Sequence, residues 1–384
     1  MRLLAIINGK VLIPDPVEGN ILVNDGKIEA VGTFNVPEKA QIIDAKGKWV
    51  LPGFIDAHTH LGVCEEIYRV EGDDTNEMTD PVTPHVRALD AVFPEDEGFK
   101  DAVQGGITTV FTTPGSGNVI GGTGRVIKTV GKVVDKMVVR EPAGLKTAFG
   151  ENPKRVYGDD KKMPMTRMGT AALLRESFVK AQNYQDALNR GETHKDEHPE
   201  RDLRMEVLVK VLNKEIPLRA HAHRADDIMT AVRIAKEFDL DLVIDHCTEG
   251  HKIAAELAEA GIPATVGPSL SNRAKIELKD VSFKTPGILA EAGVKVALIT
   301  DHPVVPVQYL PICAGLAVRE GMTQAAALRA LTISPAEILG VANRVGSLQP
   351  GKDADVVIWS GNPLELMSRP ELVIVDGNIV FRRE

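Results

Sequence analysis

Aromatic residues are scarce in this 384-residue chain, and no charge of one sign dominates it. Phe, Trp and Tyr make up only 4% of the residues, which argues against the base-stacking surfaces of many nucleic-acid-binding proteins. The net charge of -9 is moderate and spread out, so no basic patch for nucleic acid or for an anionic membrane is indicated. We expect a small-molecule substrate, with no nucleic-acid partner and no membrane partner.

Cysteines and long apolar runs are also lacking. The three cysteines, Cys64, Cys247 and Cys313, are an odd number and lie far apart, which indicates free thiols rather than a disulfide framework. No apolar run is long enough to span a bilayer. The first residues read as a strand rather than a signal peptide, because no small-residue cleavage site follows them. These features predict a cytoplasmic protein.

Both ends of the chain consist of short apolar segments separated by tight-turn dipeptides. Such dipeptides between apolar runs predict β-hairpins. The dipeptides are Asn8-Gly9, Asp25-Gly26, Lys46-Gly47 and Asp376-Gly377. Because the two ends share this pattern, we predict that residues 1–52 and 343–384 meet in one small β-sandwich.

Between the ends, helical segments alternate with apolar strands. Residues 226–247, DDIMTAVRIAKEFDLDLVIDHC, are typical of this helix, short loop and strand pattern. The repeat predicts an α/β fold with parallel strands, and about eight strands over residues 53–342 favour a closed (β/α)8 TIM barrel. The glycine-rich segment VIGGTGRVI, residues 119–127, is interpreted as a flexible active-site loop.

Two histidines follow the apolar run in LPGFIDAHTHLG, residues 51–62. Side chains alternate along a strand, so His58 and His60 lie on the same face and can both reach one ion. An isolated pair of this kind is more often packed or solvated than metal-bound. The interpretation therefore depends on what the rest of the chain supplies.

Polar side chains end several other apolar runs, and a barrel gathers the ends of its strands around one site. Six of the 10 histidines lie at such ends. Taken alone, His223 could begin a surface helix and Asp301 could cap one. The whole set of strand-end residues, however, predicts a metal centre. The strand-end residues are His58, His60, His221, His223, His246, Asp301 and His302, with Lys146 inside a predicted strand and Glu151 just after it.

Imidazole and carboxylate ligands suit zinc, and also iron, manganese, nickel or cobalt. Because no cysteine cluster is present, a catalytic site is favoured over a structural zinc site. A metal lowers the pKa of its bound water to about 7, and a neighbouring carboxylate can take the proton. These residue types therefore indicate hydrolytic chemistry.

Three motifs in order resemble the amidohydrolase superfamily of metal-dependent hydrolases: PGFIDAHTHLG, ALITDHP and TISPAEILGVANRVGSLQPGKDADVVIW. The chain is most similar to the branch related to imidazolonepropionase and to dipeptidases of Xaa-Pro type. The resemblance implies a (β/α)8 barrel beside a β-sandwich formed by both termini. It also implies cleavage of a C–N bond in a cyclic amide, or in a small peptide-like or N-acyl amide, by metal-bound hydroxide.

The resemblance assigns roles to individual residues. His58 and His60 match the metal pair of the first barrel strand, and His221 and His246 match the ligands after strands five and six. Asp301 matches the aspartate that binds metal and acts as general base, and His246 or a second metal would polarise the carbonyl oxygen. One or two divalent ions per chain, with zinc expected, are implied.

The ligand from strand four has two candidates. The segment AGLK resembles the strand whose lysine is carboxylated by carbon dioxide and bridges two metals, which indicates Lys146. Other relatives use a glutamate there, which indicates Glu151. Lys146 is preferred, because of that resemblance, but both stay open.

Substrate-binding residues are harder to assign. His223 stands where imidazolonepropionase has an acidic residue, so the imidazolone substrate is in doubt. His223 and Arg224 are instead candidates to bind a substrate carboxylate, since arginine offers two parallel donors. Arg155 and Tyr157, after strand four, are further candidates.

Two other functions remain open. One is a deaminase with a single metal on the same scaffold, and the other is a non-catalytic scaffold homologue. The second would be expected to lose ligands, whereas here all of the assigned ones are present. A homo-oligomer is also expected.

Overall fold

The computed structural model describes residues 3–13, 15–67, 69–193 and 199–384, whose strands form two eight-stranded sheets. The first five strands are β1 (Leu3–Ile13), β2 (Asp15–Asn24), β3 (Lys27–Gly32), β4 (Gln41–Asp44) and β5 (Trp49–Pro52). The barrel strands are β6 (Phe54–Thr59), β7 (Ile107–Thr112), β8 (Ile120–Lys128), β9 (Val138–Ala148), β10 (Leu218–Ala222), β11 (Leu242–His246), β12 (Ala264–Val266) and β13 (Val296–Leu298). The last three strands are β14 (Val356–Trp359), β15 (Pro370–Val375) and β16 (Asn378–Arg382).

The first sheet joins the two ends of the chain. Its order is β16-β15-β14-β5-β1-β2-β3. The second half of β1 pairs with β5, and the first half pairs with β4. The ends meet where β5 runs antiparallel to β14, with Val50 opposite Ile358. The shared sheet of the two ends is thus present, while the separate β-sandwich domain and its boundaries stay a prediction.

Two of the four turn dipeptides close hairpins. Asp25-Gly26 joins β2 to β3, and Asp376-Gly377 joins β15 to β16. All four of these residues have φ between 46° and 81°, the left-handed conformation that a two-residue hairpin turn requires. Local turn chemistry was therefore a sound signal at these two positions.

The hairpins predicted at the other two dipeptides are wrong. Asn8-Gly9 lies inside β1, at a bulge where β2 keeps pairing on both sides. Lys46-Gly47 separates β4 from β5, which both run parallel to β1 and pair with different parts of it. Asn8-Gly9 bends β1, and Lys46-Gly47 redirects the chain between β4 and β5. In both places, pairing of β1 with other strands overrides the local preference for a hairpin.

The second sheet is a nearly closed barrel of order β13-β12-β11-β10-β9-β8-β7-β6. Seven of its strands run in one direction, and β8 runs antiparallel to both β7 and β9. The segment interpreted as a flexible loop is therefore mostly this buried strand, which corrects that expectation. Its glycines serve close packing, since a Cβ on Gly124 would lie 2.4 Å from the Phe111 ring.

The barrel closes between the carboxyl ends of β6 and β13. The backbone N–H of Asp301 donates to the His58 carbonyl at 3.2 Å, and that of His60 donates to the His302 carbonyl at 2.8 Å. The Asp56 carboxylate also accepts hydrogen bonds from the backbone N–H and hydroxyl of Thr300, at 3.0 and 2.6 Å. Closure therefore brings the predicted ligands of the first and last strands side by side.

Helices cover the outside of the barrel. In α6 the buried residues Ile228, Ala231, Val232 and Ala235 follow the helical spacing of one apolar face. No helix in the described ranges is long and apolar enough to cross a membrane. The helices are α1 (Glu97–Gln104), α2 (Val134–Met137), α3 (Glu151–Asp159), α4 (Arg167–Thr193), α5 (Leu203–Leu212), α6 (Ala225–Glu237), α7 (Ala254–Glu259), α8 (Thr285–Glu291), α9 (Leu310–Arg319), α10 (Gln324–Leu331) and α11 (Ile333–Ile338).

A buried lysine connects the barrel to the sheet of the two ends. Lys128, the last residue of β8, has a side chain only 4% exposed. Its Nζ lies 2.6 Å from Asp355, 3.1 Å from Asp353 and 3.1 Å from Asp376. Burial alone would lower the pKa of Lys128, but the three carboxylates raise it, so the ammonium stays charged.

We expect Lys128→Met to lower the free energy of unfolding by about 3–5 kcal/mol, because it leaves the buried Asp355 carboxylate without its cation. Chemical denaturation of the purified chain measures this. Lys100→Met is the matched control, since Lys100 forms an exposed pair with Glu97, and its expected cost is within about 1 kcal/mol. Equal costs for the two variants would contradict a stabilising role for the buried cluster.

Candidate active site

Two groups of potential metal ligands meet at the carboxyl ends of the barrel strands. The His-Asp group consists of His58, His60 and Asp301, and the three-histidine group consists of His221, His223 and His246. Within each group, one ligand atom per residue lies within 4.8 Å of the others. The groups adjoin, since the rings of His58 and His246 are 4.9 Å apart. The structure therefore brings together all six of these sequence-predicted residues.

In the His-Asp group, one carboxylate oxygen faces two imidazoles. Asp301 Oδ1 lies 3.4 Å from His58 Nε2 and 3.3 Å from His60 Nε2. His60 Nδ1 donates to the Thr113 carbonyl at 2.8 Å, which leaves Nε2 directed at the carboxylate. Asp301 itself has φ of 54°, a left-handed conformation that is uncommon outside glycine and that turns its side chain toward the histidines.

In the three-histidine group, two rings are held through Nδ1. His246 Nδ1 donates to the Gly267 carbonyl at 2.9 Å, and His223 Nδ1 is hydrogen-bonded to the Thr248 hydroxyl at 2.8 Å. Neither ring nitrogen of the buried His221 has a hydrogen-bond partner among the described residues. Hydrogen bonds at Nδ1 fix the orientation of a ring and leave Nε2 for a ligand.

Burial keeps these imidazoles neutral, and the neighbouring histidines keep the Asp301 carboxylate charged. Burial lowers the pKa of His223 to about 3, and it holds the pKa of His221 and His246 well below the usual range. Burial would raise the pKa of Asp301, but His246, His58 and His60 hold it well below its usual range. Neutral imidazole and ionised carboxylate are the forms that coordinate a metal.

Lys146 lies in the same centre, within β9. Its Nζ is 2.9 Å from His58 Nε2, and burial lowers the pKa of the amine to about 8. Glu151 is the first residue of α3 and belongs to neither of the two ligand groups. The structure thus places Lys146, the preferred candidate of the sequence analysis, against the histidines.

Beneath the site, a buried ion pair that the sequence analysis missed orients His58. Arg219 Nη2 donates to Asp245 Oδ1 at 2.6 Å, and Asp245 Oδ2 lies 3.0 Å from His58 Nδ1. Arg219 also donates to the Ala57 carbonyl at 2.8 Å. The sequence did carry a signal for this pair, since both are charged residues inside apolar strands. Asp245 directly precedes His246, and Arg219 lies two residues before His221.

Three candidate substrate-binding residues lie outside the two ligand groups. Arg155 is exposed on α3, and the Tyr157 hydroxyl is buried, donating to Asn118 Oδ1 at 2.6 Å. Arg224 forms two hydrogen bonds with the carboxylate of Asp226, at 2.9 and 2.8 Å. Their roles toward a substrate stay predictions.

We expect Asp245→Asn to weaken divalent-ion binding about 10- to 100-fold, because His58 loses the carboxylate that orients it. Zinc titration calorimetry on the full chain measures this. The surface substitution Asp90→Asn serves as control, since Asp90 is exposed and pairs with the exposed Arg87. Unchanged zinc affinity in a folded Asp245→Asn protein would contradict the orienting role.

Comparison with known proteins identifies the family. The family model described as the amidohydrolase family matches residues 49–380. Among solved structures, an amidohydrolase from Thermotoga maritima MSB8 is 48% identical to this chain, with a TM-score of 0.97. That likeness covers 99% of this chain and 100% of the other.

Similar sequences agree with this result. Amidohydrolase tasK of Hapsidospora irregularis is 30% identical over 94% of this chain, although the match spans only 40% of that protein's length. An imidazolonepropionase of Mesorhizobium japonicum is 25% identical over 92% of this chain and 89% of its own length. The match over most of the chain shows that it is an enzyme of the amidohydrolase family.

Proposed function

We propose that this amidohydrolase uses divalent metal to cleave a C–N bond in a cyclic amide, or in a small peptide-like or N-acyl amide. One observation carries the proposal: the His-Asp group and the three-histidine group adjoin at the active end of the barrel, with Lys146 against His58. Two adjoining ligand groups are what a pair of ions acting on one carbonyl requires.

The side chains present fit a metal. Both ring nitrogens of His221 and the Oδ1 of Asp301 are buried without a hydrogen-bond partner in the described structure. Buried polar atoms of this kind are costly unless something binds them, and a cation would do so. When bound, such a cation acidifies a water molecule and polarises a carbonyl; zinc suits this donor set, as do iron, manganese, nickel and cobalt.

Within this proposal Asp301 is the general base. Its low pKa keeps it ionised at neutral pH, so it can accept a proton from the attacking water and later pass it to the leaving nitrogen. Asp56 and Thr300 hold the preceding backbone in place. His246, whose Nδ1 lies 4.0 Å from Asp301, would help to position the carbonyl that is attacked.

Lys146 is proposed as the residue that bridges the two groups. A cationic lysine cannot bind a metal, but a neutral amine can add to carbon dioxide, with loss of a proton, to give a carboxylate. Burial favours the neutral amine, because it lowers the pKa of Lys146 to about 8. Glu151 stays the alternative ligand.

The substrate class rests on the relatives. The imidazolonepropionase relative supports a cyclic amide, while His223 in place of the expected acidic residue favours other amides. Arg224, Arg155 and Tyr157 are proposed to contact the substrate. We also propose a homo-oligomeric protein of the cytoplasm. A screen of N-acyl amino acids, dipeptides and cyclic ureides against the zinc-loaded chain tests the substrate class.

A deaminase with a single metal is the second candidate. It needs only one ligand group, whereas the structure has two adjoining ones. Metal content measured by plasma emission separates the two functions: about two ions per chain support the amide hydrolase, and about one supports the deaminase.

Lys146 predicts a pH dependence of activation. Its amine is protonated below pH 8 and neutral above it, so its neutral fraction rises from roughly 10% at pH 7 to roughly 90% at pH 9. At fixed dissolved carbon dioxide, recovery of activity by the metal-stripped chain on adding zinc should therefore accelerate about ninefold over this range. Carbon-13 NMR with labelled carbon dioxide detects the modified lysine.

Two variants separate the candidate ligands. Lys146→Glu carries an unmodified carboxylate, so its recovery should lose this pH dependence. If no labelled carboxylate forms on the wild-type chain and Glu151→Gln weakens zinc binding, Glu151 is the ligand instead.

Asp301→Asn tests the general base. We expect turnover of any substrate found in the screen to fall about 10²- to 10⁴-fold, because no carboxylate remains to accept the proton. Circular dichroism should show an unchanged fold, and plasma emission should show that most of the metal is retained. Activity close to that of the Asp90→Asn control would exclude Asp301 as the base.

A further inference from the structure

We infer that Glu277, in a short 3-10 helix (Ile276–Leu278) after β12, is a fourth ligand of the three-histidine group, binding through Oε1. With it, His223 becomes a metal ligand rather than a substrate-binding residue. The inference rests on the proposed function, since it assigns residues to the second of two metal positions. It adds two ligands to those that the resemblance to the family assigns.

The geometry of the carboxylate supports this role. Glu277 Oε1 lies 3.7 Å from His223 Nε2 and 3.9 Å from His221 Nε2. Ligands about 2.0–2.1 Å from a tetrahedral ion are about 3.3–3.5 Å apart, so these separations need only a small contraction. The Glu277 side chain is 2% exposed, and its Oε1 has no hydrogen-bond partner in the described structure.

The other carboxylate oxygen is anchored to the backbone. Glu277 Oε2 accepts a hydrogen bond from the backbone N–H of Glu151 at 3.0 Å. This close approach requires a glycine before it, because a Cβ on Gly150 would lie 2.7 Å from Oε2. Gly150 also has φ of 80°, which favours glycine. With Oε2 held in this way, Oε1 is left directed at the histidines.

His223 is oriented for the same purpose. Its Nδ1 is hydrogen-bonded to the Thr248 hydroxyl at 2.8 Å, so Nε2 faces Glu277. Its ring is also 4.6 Å from that of His221 and 4.8 Å from that of His246. A residue enclosed by two other ligands is placed to bind the same ion as they do.

The competing explanation is that Glu277 serves only as the counter-ion of Lys275. Lys275 Nζ lies 3.8 Å from Oε1, beyond hydrogen-bond distance, and it donates instead to Asn152 Oδ1 at 2.7 Å. Lys275 is also 28% exposed, so water solvates part of its charge. The buried Oε1 is therefore not satisfied by this lysine.

The assignment has a consequence for metal loading. Three imidazoles and a carboxylate would hold an ion without Lys146, and the carboxylated Lys146 of the proposed function would add a further, bridging ligand. The three-histidine group should then hold its ion when Lys146 is unmodified, and Lys146 would chiefly affect the ion of the His-Asp group. The two ions should consequently differ in their dependence on carbon dioxide.

The test compares metal binding by the full wild-type chain and by Glu277→Gln. Both proteins are stripped of metal and titrated with Zn²⁺ by calorimetry and with Co²⁺ by visible absorption, which reports the ligands around the ion. We expect Glu277→Gln to bind one of two ions at least about 100-fold more weakly, since loss of an outer-shell partner alone costs 10- to 100-fold. His223→Gln should weaken the same ion.

Two controls make the comparison specific. Glu249→Gln alters another buried glutamate, which accepts from the Ala225 N–H and pairs with Lys252, and it should bind both ions as the wild type does. Lys275→Met removes the competing partner and should leave the affinity within about threefold. Circular dichroism establishes that each variant is folded.

The outcomes are distinct. Retention of both ions with wild-type affinity and an unchanged Co²⁺ spectrum by folded Glu277→Gln would overturn the inference while leaving the proposed function intact. A loss of equal size in Lys275→Met would also overturn it, since Glu277 would then act through Lys275. If the wild-type chain binds no Zn²⁺ or Co²⁺ at all, the proposed function itself fails.

Discussion

The buried carboxylate of Asp245 is the contact on which the centre of the barrel depends. It accepts from Arg219 on β10 and from the Thr265 hydroxyl on β12, and it lies 3.0 Å from His58 on β6. Burial would raise its pKa, but Arg219 and His58 hold the pKa well below the usual range. One charge on β11 thereby links three other strands, and a buried carboxylate without such partners would be strongly destabilising.

Strained backbone at the ends of strands holds two of the candidate ligands, His246 and Asp301. His246, Cys247 and Asp301 all have φ between 50° and 71°, although none is glycine. Each such residue costs of order 1–3 kcal/mol, which the surrounding hydrogen bonds must offset. One of those hydrogen bonds, from the Asp301 N–H to the His58 carbonyl, also closes the barrel. His58 and Asp301, which close the barrel, are therefore also candidate metal ligands.

Much of the site could be predicted from the sequence because a barrel gathers the ends of its strands. An apolar run ends at each of five candidate ligands: His58, His60, His221, His246 and Asp301. In a barrel such run ends lie close together, so the local pattern alone predicts that these side chains are neighbours. Asp245 and Arg219 carried a weaker signal, as charges within buried strands. Glu277 carried none, because it lies outside the barrel strands, in a short 3-10 helix whose place depends on packing against Gly150.

By itself, the sequence determined the alternation of strands and helices, the histidines and the aspartate at the strand ends, and the two hairpins whose dipeptides need left-handed backbone. These features are local, since they depend on side-chain periodicity and on φ. Only the tertiary structure decided that β8 runs antiparallel, that Asn8-Gly9 bends a strand instead of turning it, and that Lys146 rather than Glu151 contacts a histidine. Those outcomes depend on which distant segments of the chain pair and pack together, and the local sequence pattern does not specify those contacts.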